Sequence, residues 1–352
     1  MDPIDMFSGI TSAETKAFWE TIQAKEAPYG LETLFPNQKQ SASDVTWFRG
    51  MTNAPKPLNP SAFNVNAIPR ERQGFEKVGT HTNFYKESKY IDEALRQQLL
   101  LAATSPVTSQ KDIIFNKIFN DNVDLIRGAA ITRELVRSQL VLGGKFSISG
   151  NDQLYEEDYE MPATHISGAK GIWGADGSTP VDDIMMAQDR IGNDTGQTIS
   201  RVLMNKKTFN LLLRDNSLKS TIVPNNANTA NLVLPKKDLL SYLLDEYSLS
   251  VLIDNQYYTG TDGQIHYFIP DGKAIFMPQG NLGATVFSTT PEEADLMASA
   301  AADVSITDTG VAITTTAEAD PVTKVTKVSQ QFIPTFEQID SVFVLDVLNP
   351  KA

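Results

Sequence analysis

The sequence predicts an α+β fold, and three observations carry this prediction. A proline-free run from 110 to 142 repeats apolar residues at three- and four-residue spacing, which predicts one long helix with a single buried face. From residue 181 onward, short helical patterns alternate with short apolar strands, as in a unit whose helices pack on one central sheet. A helix-capping signature at 290–293 predicts a sharp corner late in the chain.

The first 88 residues predict extensions rather than a core. Residues 1–44 mix short amphipathic pieces with turn-rich polar sequence, which predicts an N-terminal arm. In residues 45–88, two extended flanks enclose a long proline-bearing stretch, which predicts a projecting two-stranded ribbon. Because an isolated two-stranded ribbon is at best marginally stable in water, we expect it to lie on another copy of the chain.

The remaining segments follow in order. Residues 89–180 contain the long helix 110–142, which ends at Gly143-Gly144 before the strand-like sequence KFSISG. Residues 181–300 predict the α+β unit. In residues 301–352, a small, Thr-rich stretch predicts an exposed hairpin, and two strands after it are expected to return to a sheet begun earlier.

The corner near the end of the α+β unit carries a complete capping-box signature. Thr290 can cap a helix, Pro291 fits the first helical turn, and Glu293 stands three residues after the cap. Such a cap contributes about 1 kcal/mol. We therefore expect Thr290, Pro291 and Glu293 to form a structural corner.

The charge balance argues against DNA recognition. The 352 residues include 30 Lys and Arg against 43 Asp and Glu, a formal net charge of −13. Such a surface repels phosphate groups, whereas sequence-specific binding needs clustered basic residues. Cysteine is absent, which excludes disulfides and thiolate chemistry. We expect no signal peptide, and no membrane partner because no run approaches the ~20 apolar residues of a membrane span.

No motif supports catalysis, a cofactor or a metal. His81, His165 and His266 are far apart and lack metal-ligand spacing. The glycine-rich stretch 168–180 lacks the Lys-Ser/Thr of a phosphate loop and is expected to be a mobile loop. In the acidic run 155–160, strand-like alternation would point neighbouring carboxylates to opposite faces and form a solvated edge. We therefore predict no catalytic, cofactor-binding or metal-binding residue.

Five segments carry a family resemblance. They are LETLFP, IPRERQGFEKVGTHTNFYKESKYI, GKFSISG, FIPDGKAIFMPQGNLGATVFSTTPEEADL and KVSQQFIPTFEQIDSVFVLDVL. With them the chain resembles the major capsid proteins of tailed phages, specifically the lambda head-protein family (phage major capsid protein E). The last two segments are the most specific, because together they give a strand, the capped corner and the final strand pair in the family's order.

The resemblance implies a Hong Kong 97-like fold. In this fold, residues 1–44 are the N-terminal arm, 45–88 the extended loop, 89–180 the peripheral domain with the spine helix, and 181–300 the axial domain. Residues 301–352 then supply a surface hairpin and strands that return to these domains. The corner would turn the chain within the axial domain, whose rim meets its symmetry mates.

The resemblance also implies a function and partners. Copies of the chain would form pentamers and hexamers of an icosahedral shell around double-stranded DNA, with no sequence-specific DNA binding. A separate scaffolding protein and a portal are expected partners, and the virion would be assembled in the host cytoplasm. We expect Arg70, Arg72 and Phe75, near the return strand of the ribbon, to make intersubunit contacts by charge pairing and apolar burial.

Two alternatives stay open from the sequence alone. One is another self-assembling protein, either a phage tail-tube subunit or a protein-only compartment shell, although the long helix argues against a tube. The other is a hydrolase with an acidic site at Tyr155–Glu160. Loss of a measured activity in Glu156→Gln and Glu157→Gln variants would favour the hydrolase, for which the sequence offers no base, nucleophile or metal geometry.

Overall fold

The fold was analysed in a computed structural model. It describes residues 10–49, 58, 60–61, 63, 66, 76–104, 108–223, 234–297, 299 and 302–350, with the backbone alone at 76, 99, 102–104 and 108–117. The described helices are α1 (Ser12–Gln23), α2 (Glu93–Thr104), α3 (Thr108–Gly143), α4 (Pro180–Thr195), α5 (Lys206–Arg214), α6 (Asn216–Ile222) and α7 (Lys236–Tyr247). None of them is long and apolar enough to cross a membrane.

The described strands number along the chain as follows. They are β1 (Asn37–Lys39), β2 (Asp44–Arg49), β3 (Glu76–His81), β4 (Asn83–Ile91), β5 (Lys145–Gly150), β6 (Gln153–Asp158), β7 (Ile166–Gly168), β8 (Arg201–Met204), β9 (Ser250–Ile253), β10 (Tyr257–Thr259), β11 (Ile265–Tyr267), β12 (Lys273–Met277), β13 (Thr285–Phe287), β14 (Asp303–Thr307), β15 (Val311–Ala319), β16 (Val322–Pro334) and β17 (Phe343–Asp346). Helix α3 confirms the long helix that periodicity predicts at 110–142.

The chain divides into two compact units, each made of three separate segments. The six-stranded unit comprises Met1–Val45, Gly79–Leu135 and Ala284–Thr335. The five-stranded unit comprises Thr46–Val78, Val136–Gly283 and Phe336–Ala352. Each unit combines segments that are far apart in the sequence, because strands distant along the chain complete each sheet.

In the six-stranded unit, β16 is the strand on which the sheet is built. The strand order is β1-β13-β16-β15-β14, and β4 also pairs with β16. Strand β16 pairs with β15 from Val311↔Gln330 to Ala319↔Val322, and with β4 from Lys324↔Ile91 to Phe332↔Asn83. Strand β1 joins by parallel pairing with β13.

The Thr-rich hairpin expected to be exposed is buried along the first half of β15. Strands β14 and β15 do form a hairpin, as predicted. However, Val311, Ala312 and Ile313 are fully buried, and the exposed part of β15 is its end, 317–319. The first half of β15 is buried because β15 lies between two other strands of the sheet, and exposure is confined to the end of the hairpin and parts of β14 and the turn.

The N-terminal segment packs into the same unit and is not a free arm over its described part. Helix α1 begins after Thr11, whose Oγ1 accepts a hydrogen bond from the N–H of Glu14 at 3.1 Å. Ser12 donates from its backbone N–H and its hydroxyl to the Asp303 carboxylate at 2.6 and 2.9 Å. Trp19 is buried. Small and aromatic residues at helical spacing give α1 a buried face. This face is hard to recognise in the sequence because polar residues flank it.

A buried carboxylate joins three elements of this unit. Asp308, in the turn between β14 and β15, accepts hydrogen bonds from Trp19 Nε1 at 3.2 Å and Gln23 Nε2 at 3.1 Å. Its other oxygen accepts from Arg133 Nη2 on α3 at 3.1 Å, and Arg133 Nη1 donates to Gln330 Oε1 on β16 at 2.8 Å. The Arg133 and Asp308 side chains are only 5% and 6% exposed. Each buried charge therefore depends on the other.

The five-stranded unit has a mixed sheet with helices packed on it. The strand order is β7-β17-β12-β8-β9, in which β12 runs antiparallel to β17 and β8. Side chains of α4, α5 and α7 pack against the sheet around Phe276, Phe343 and Leu345. The helices and strands predicted after residue 181 are present. As expected, strands among them form part of one central sheet, and the helices pack on that sheet.

The glycine-rich stretch 168–180 is packed in the structure, so the mobile-loop interpretation is wrong. Trp173 is buried and its Nε1 donates to Asp183 Oδ2 at 2.9 Å. The N–H of Lys170 donates to the other oxygen of the same carboxylate at 3.0 Å. Burial raises the pKa of Asp183, which these hydrogen bonds oppose. The glycine content suggested flexibility, but the buried Trp173 fixes this loop in the core.

We expect Asp308→Ala to lower the free energy of unfolding by about 3–5 kcal/mol, because it leaves the Arg133 charge buried without its partner. Urea unfolding followed by circular dichroism measures this loss. The exposed Asp295→Ala is the matched control, with a change within about 0.5 kcal/mol. Equal unfolding midpoints for the two variants would show that the buried pair does not stabilise the fold.

Candidate functional site

The base of the ribbon predicted at 45–88 is a two-stranded sheet of β2 and β3. Trp47 on β2 is buried, and its ring stacks on the Tyr159 ring with centroids 5.3 Å apart and planes at 26°. Stacking of this kind adds to the free energy gained by burying both rings. Trp47 and Tyr159, which both belong to the five-stranded unit, therefore hold the ribbon at its base.

Arg49, the last residue of β2, holds that base by four hydrogen bonds. Its Nε and Nη2 donate to the two carboxylate oxygens of Asp340 at 3.1 and 2.8 Å. Its Nη1 and Nη2 also donate to the carbonyl oxygens of Tyr159 and Glu160 at 3.0 and 2.9 Å. A bidentate arginine–carboxylate pair fixes orientation as well as distance. The direction in which the chain leaves β2 is thus determined by side chains of the same unit.

At the end of β2 and beyond it, large apolar side chains face solvent. Phe48 is 51% exposed, Leu58 88% and Phe63 99%. Burying one such side chain is worth about 1.5–3 kcal/mol, which a single chain leaves unused at Leu58 and Phe63. The sequence did not point to these residues, because Leu58 and Phe63 stand alone among prolines and asparagines in KPLNPSAFN and belong to no helical or strand period.

The residues that the sequence proposes for intersubunit contacts are Arg70, Arg72 and Phe75. All three lie outside the described residues, so their role stays a prediction.

The corner residues form a capped turn in the six-stranded unit. Thr290 Oγ1 accepts a hydrogen bond from the N–H of Glu293 at 3.3 Å, as a helix cap does. Pro291 has helical backbone angles, and a single π-helical turn, Glu292–Leu296, follows it. The Glu293 carboxylate forms an ion pair with Lys39, next to β13. The sequence assigned the corner to 181–300 with the α+β unit; it lies in the other unit because β13 pairs with β16 and β1.

Beside the cap, Glu292 forms a largely buried ion pair. Its carboxylate lies 2.7 Å from Lys327 Nζ on β16, and its side chain is 6% exposed. Burial alone would raise the pKa of Glu292, but the hydrogen bond and positive charge of Lys327 lower the pKa below its ordinary value. The turn is therefore joined to the sheet by Glu292 and to the N-terminal segment by Glu293.

Glu156 and Glu157 of the acidic run lie on opposite faces of β6, and the three histidines lie on separate elements. In β6, Glu156 pairs with Ser147 and Glu157 with Phe146, so the two carboxylates lie on opposite faces, as predicted. His81, His165 and His266 are each beside a different aspartate, on separate elements. Among the residues whose positions are described, no group of three His, Asp or Glu could hold a metal ion.

A sequence profile of one protein family, phage major capsid protein E, matches residues 16–345. The chain belongs to this family. The family resemblance drawn from five sequence segments is therefore confirmed. Members of the family are structural proteins of a capsid shell, which implies that this protein is a virion component. No curated protein matches the chain at a significant level.

Solved structures support the same fold. A candidate capsid protein of an Escherichia coli CFT073 prophage shares 15% identity and a TM-score of 0.60, over 96% of this chain and 99% of that one. A phage-related protein of Bordetella bronchiseptica RB50 shares 13% identity and a TM-score of 0.53, over 96% and 98%. The capsid asymmetric unit of cyanophage A-1(L) shares 14% identity and a TM-score of 0.50, over 90% and 92%. The predicted Hong Kong 97-like α+β fold is confirmed.

We expect the six-stranded unit to lose stability in acid partly through Glu292. Because the pKa of Glu292 is lower in the folded than in the unfolded chain, its ionised form stabilises the fold above the unfolded pKa. That stability is lost as the pH falls through the folded pKa. Urea midpoints measured from about pH 5 to below pH 4 should fall more steeply for the wild type than for Glu292→Gln.

The exposed Glu246→Gln is the control for this titration and should follow the wild type. Parallel curves for the wild type and Glu292→Gln would contradict a stabilising role for the ionised carboxylate.

Proposed function

We propose that this member of the capsid family is the major head subunit, whose copies form pentamers and hexamers that close into an icosahedral shell around phage double-stranded DNA. The observation that carries the proposal is the contrast along the ribbon. Its base is fixed by Arg49 and Trp47, whereas Leu58 and Phe63 beyond it are almost fully exposed. A rigid base that presents apolar side chains to solvent suits an extension that lies on a neighbouring copy.

Shell formation by such extensions is reversible at first and stable at closure. Each tenfold in affinity corresponds to about 1.4 kcal/mol, so one poorly placed contact dissociates readily. Several contacts made together raise the apparent affinity far above that of one. Repetition of one ribbon contact around a ring therefore corrects errors before the shell closes.

The charge of the chain fits a wall that encloses DNA without binding it. With a net charge of −13, the subunit repels phosphate groups, so packaged DNA does not adhere to it. We include a separate scaffolding protein and a portal as partners, and assembly in the host cytoplasm. The proposal assigns no catalytic residue and no cofactor, because the work of the chain is association.

The predicted contact residues have defined parts in this proposal. Arg70 and Arg72 pair with acidic groups of a neighbour, and Phe75 is buried against it. The capped corner at Thr290 and Pro291 keeps the π-helical turn fixed on the sheet while copies associate.

Replacing residues 50–75 with an Asn-Gly turn, which can join β2 to β3, should give folded subunits that form no closed shells. The reason is that the substitution removes the proposed contacts with neighbours and leaves the base intact. Electron microscopy and sedimentation velocity measure shell formation, and circular dichroism checks folding.

A second variant keeps the ribbon and tests its apolar side chains. Leu58→Ser with Phe63→Ser should reduce the yield of shells, while the polar exchange Asn66→Ser in the same stretch should not. Shells of normal size and yield from the variant lacking 50–75 would refute the proposed role of the ribbon.

A further inference from the structure

The hairpin of β10 and β11 is a two-stranded sheet that pairs with no other described strand. Its pairing runs from Tyr257↔Tyr267 to Thr259↔Ile265, and the Tyr257 and Ile265 side chains are exposed. A two-stranded sheet is at best marginally stable in water by itself. The order of this hairpin therefore depends on the contacts at its root, where the chain leaves β9 and where it returns after β11.

Asp254, the residue after β9, joins that root to the central sheet. Its backbone N–H donates to the Met204 carbonyl oxygen at 3.0 Å, which continues the parallel pairing of β8 with β9. Its carboxyl Oδ1 accepts a hydrogen bond from the N–H of Gln256 at 2.8 Å. The Gln256 carbonyl oxygen accepts from the N–H of Phe268, just after β11, at 3.2 Å. A chain of hydrogen bonds thus runs from the sheet through Asp254 to both ends of the hairpin.

The second carboxyl oxygen of Asp254 is buried without a partner. Asp254 is 8% exposed, and its Oδ2 has no hydrogen-bond partner among the residues that the structure describes. Burying an unpaired polar atom costs free energy, and the cost is far larger for an ionised carboxylate than for a neutral carboxyl group. Burial accordingly raises the pKa of Asp254, and the hydrogen bond from the Gln256 N–H opposes this rise.

The charged groups on the surrounding elements have other surroundings or partners. In the hairpin, the Asp262 carboxylate lies 2.9 Å from His266 Nε2. At the start of α5, Lys207 Nζ donates to Asp271 Oδ2 at 2.8 Å. The charged side chains of α5 and α7 are exposed, and burial raises the pKa of the Tyr258 phenol, which therefore stays neutral near pH 7. The charge state of Asp254 is thus governed by its own burial and its backbone hydrogen bond.

We propose that Asp254 is a pH-sensitive clamp at the root of the β10–β11 hairpin. With its carboxyl group protonated, Asp254 stays buried and Oδ1 holds the Gln256 N–H. With the group ionised, the connection between β9 and β10 opens more often, because opening brings the charge into contact with water. The clamp acts within one chain, so it goes beyond the proposed function and does not depend on association of copies.

The direction of the response follows from the linkage between protonation and opening. A carboxyl group whose pKa is higher in the closed than in the open state favours the closed state at low pH. That advantage is lost as the pH rises through the raised pKa. Opening should therefore increase with pH, by at most about tenfold per pH unit. The paired carboxylate of Glu292, whose pKa is lowered, gives the opposite response.

Hydrogen–deuterium exchange of unassembled full-length subunits tests the clamp. After correction for intrinsic exchange, the amides of β10 and β11 in the wild type should open more often at about pH 8 than at about pH 4. Asp254→Asn keeps Oδ1 as an acceptor and cannot ionise, so its hairpin should be protected at both pH values. The matched control, Asp245→Asn on the exposed surface of α7, should behave like the wild type.

A second variant and a shared background separate the possible causes. Asp254→Ala removes both oxygens, so its hairpin should open equally often at both pH values, while circular dichroism checks that the rest of the chain is folded. The exposed pair of Asp262 and His266 is retained in Asp254→Asn. The same pH response in Asp254→Asn and in the wild type would assign the response to that pair and overturn the proposal. Wild-type exchange that does not rise with pH would overturn it whether or not the variants fold.

Discussion

The buried pair of Asp308 and Arg133 is the constraint on which the six-stranded unit depends. Two opposite charges with almost no exposure are tolerable only when they meet with good geometry. Meeting requires α3, the β14–β15 turn and β16 to be in place together, and Trp19 of α1 completes the site. This shared requirement explains why the N-terminal helix and a low-charge hairpin belong to a core instead of lying on the surface.

In the five-stranded unit, a well-packed ribbon base is followed by apolar side chains that face solvent. Its ribbon base is fixed by Trp47 stacked on Tyr159 and by Arg49 bound to Asp340. Its glycine-rich loop is held by Asp183. Among its described residues, Leu58 and Phe63, past the base, are the most exposed of the large apolar side chains. A protein of a capsid family thus keeps its core complete in one chain and leaves unsatisfied surface on an extension.

Local patterns made much of the fold predictable. Helix α3, the alternating elements after residue 181, the paired strands β2 and β3 and the Thr290 cap depend on periodicity or on neighbouring residues, which a sequence displays directly. The packing of Trp173, the ion pair of Glu293 with Lys39 and the Asp308 network depend on residues distant in the chain. Leu58 and Phe63 follow no period, so their importance emerges only from their exposure. The contacts expected of Arg70, Arg72 and Phe75 stay predictions.

The central claim is that this chain builds a closed shell by laying the ribbon of one copy on the next. Cryo-electron microscopy of the wild-type protein, expressed alone and with a scaffolding partner, tests it most directly. The account predicts closed shells of five- and six-membered rings, with residues 50–75 of each copy in contact with a neighbouring copy. Single subunits under every condition, or shells in which that segment contacts only its own chain, would contradict it.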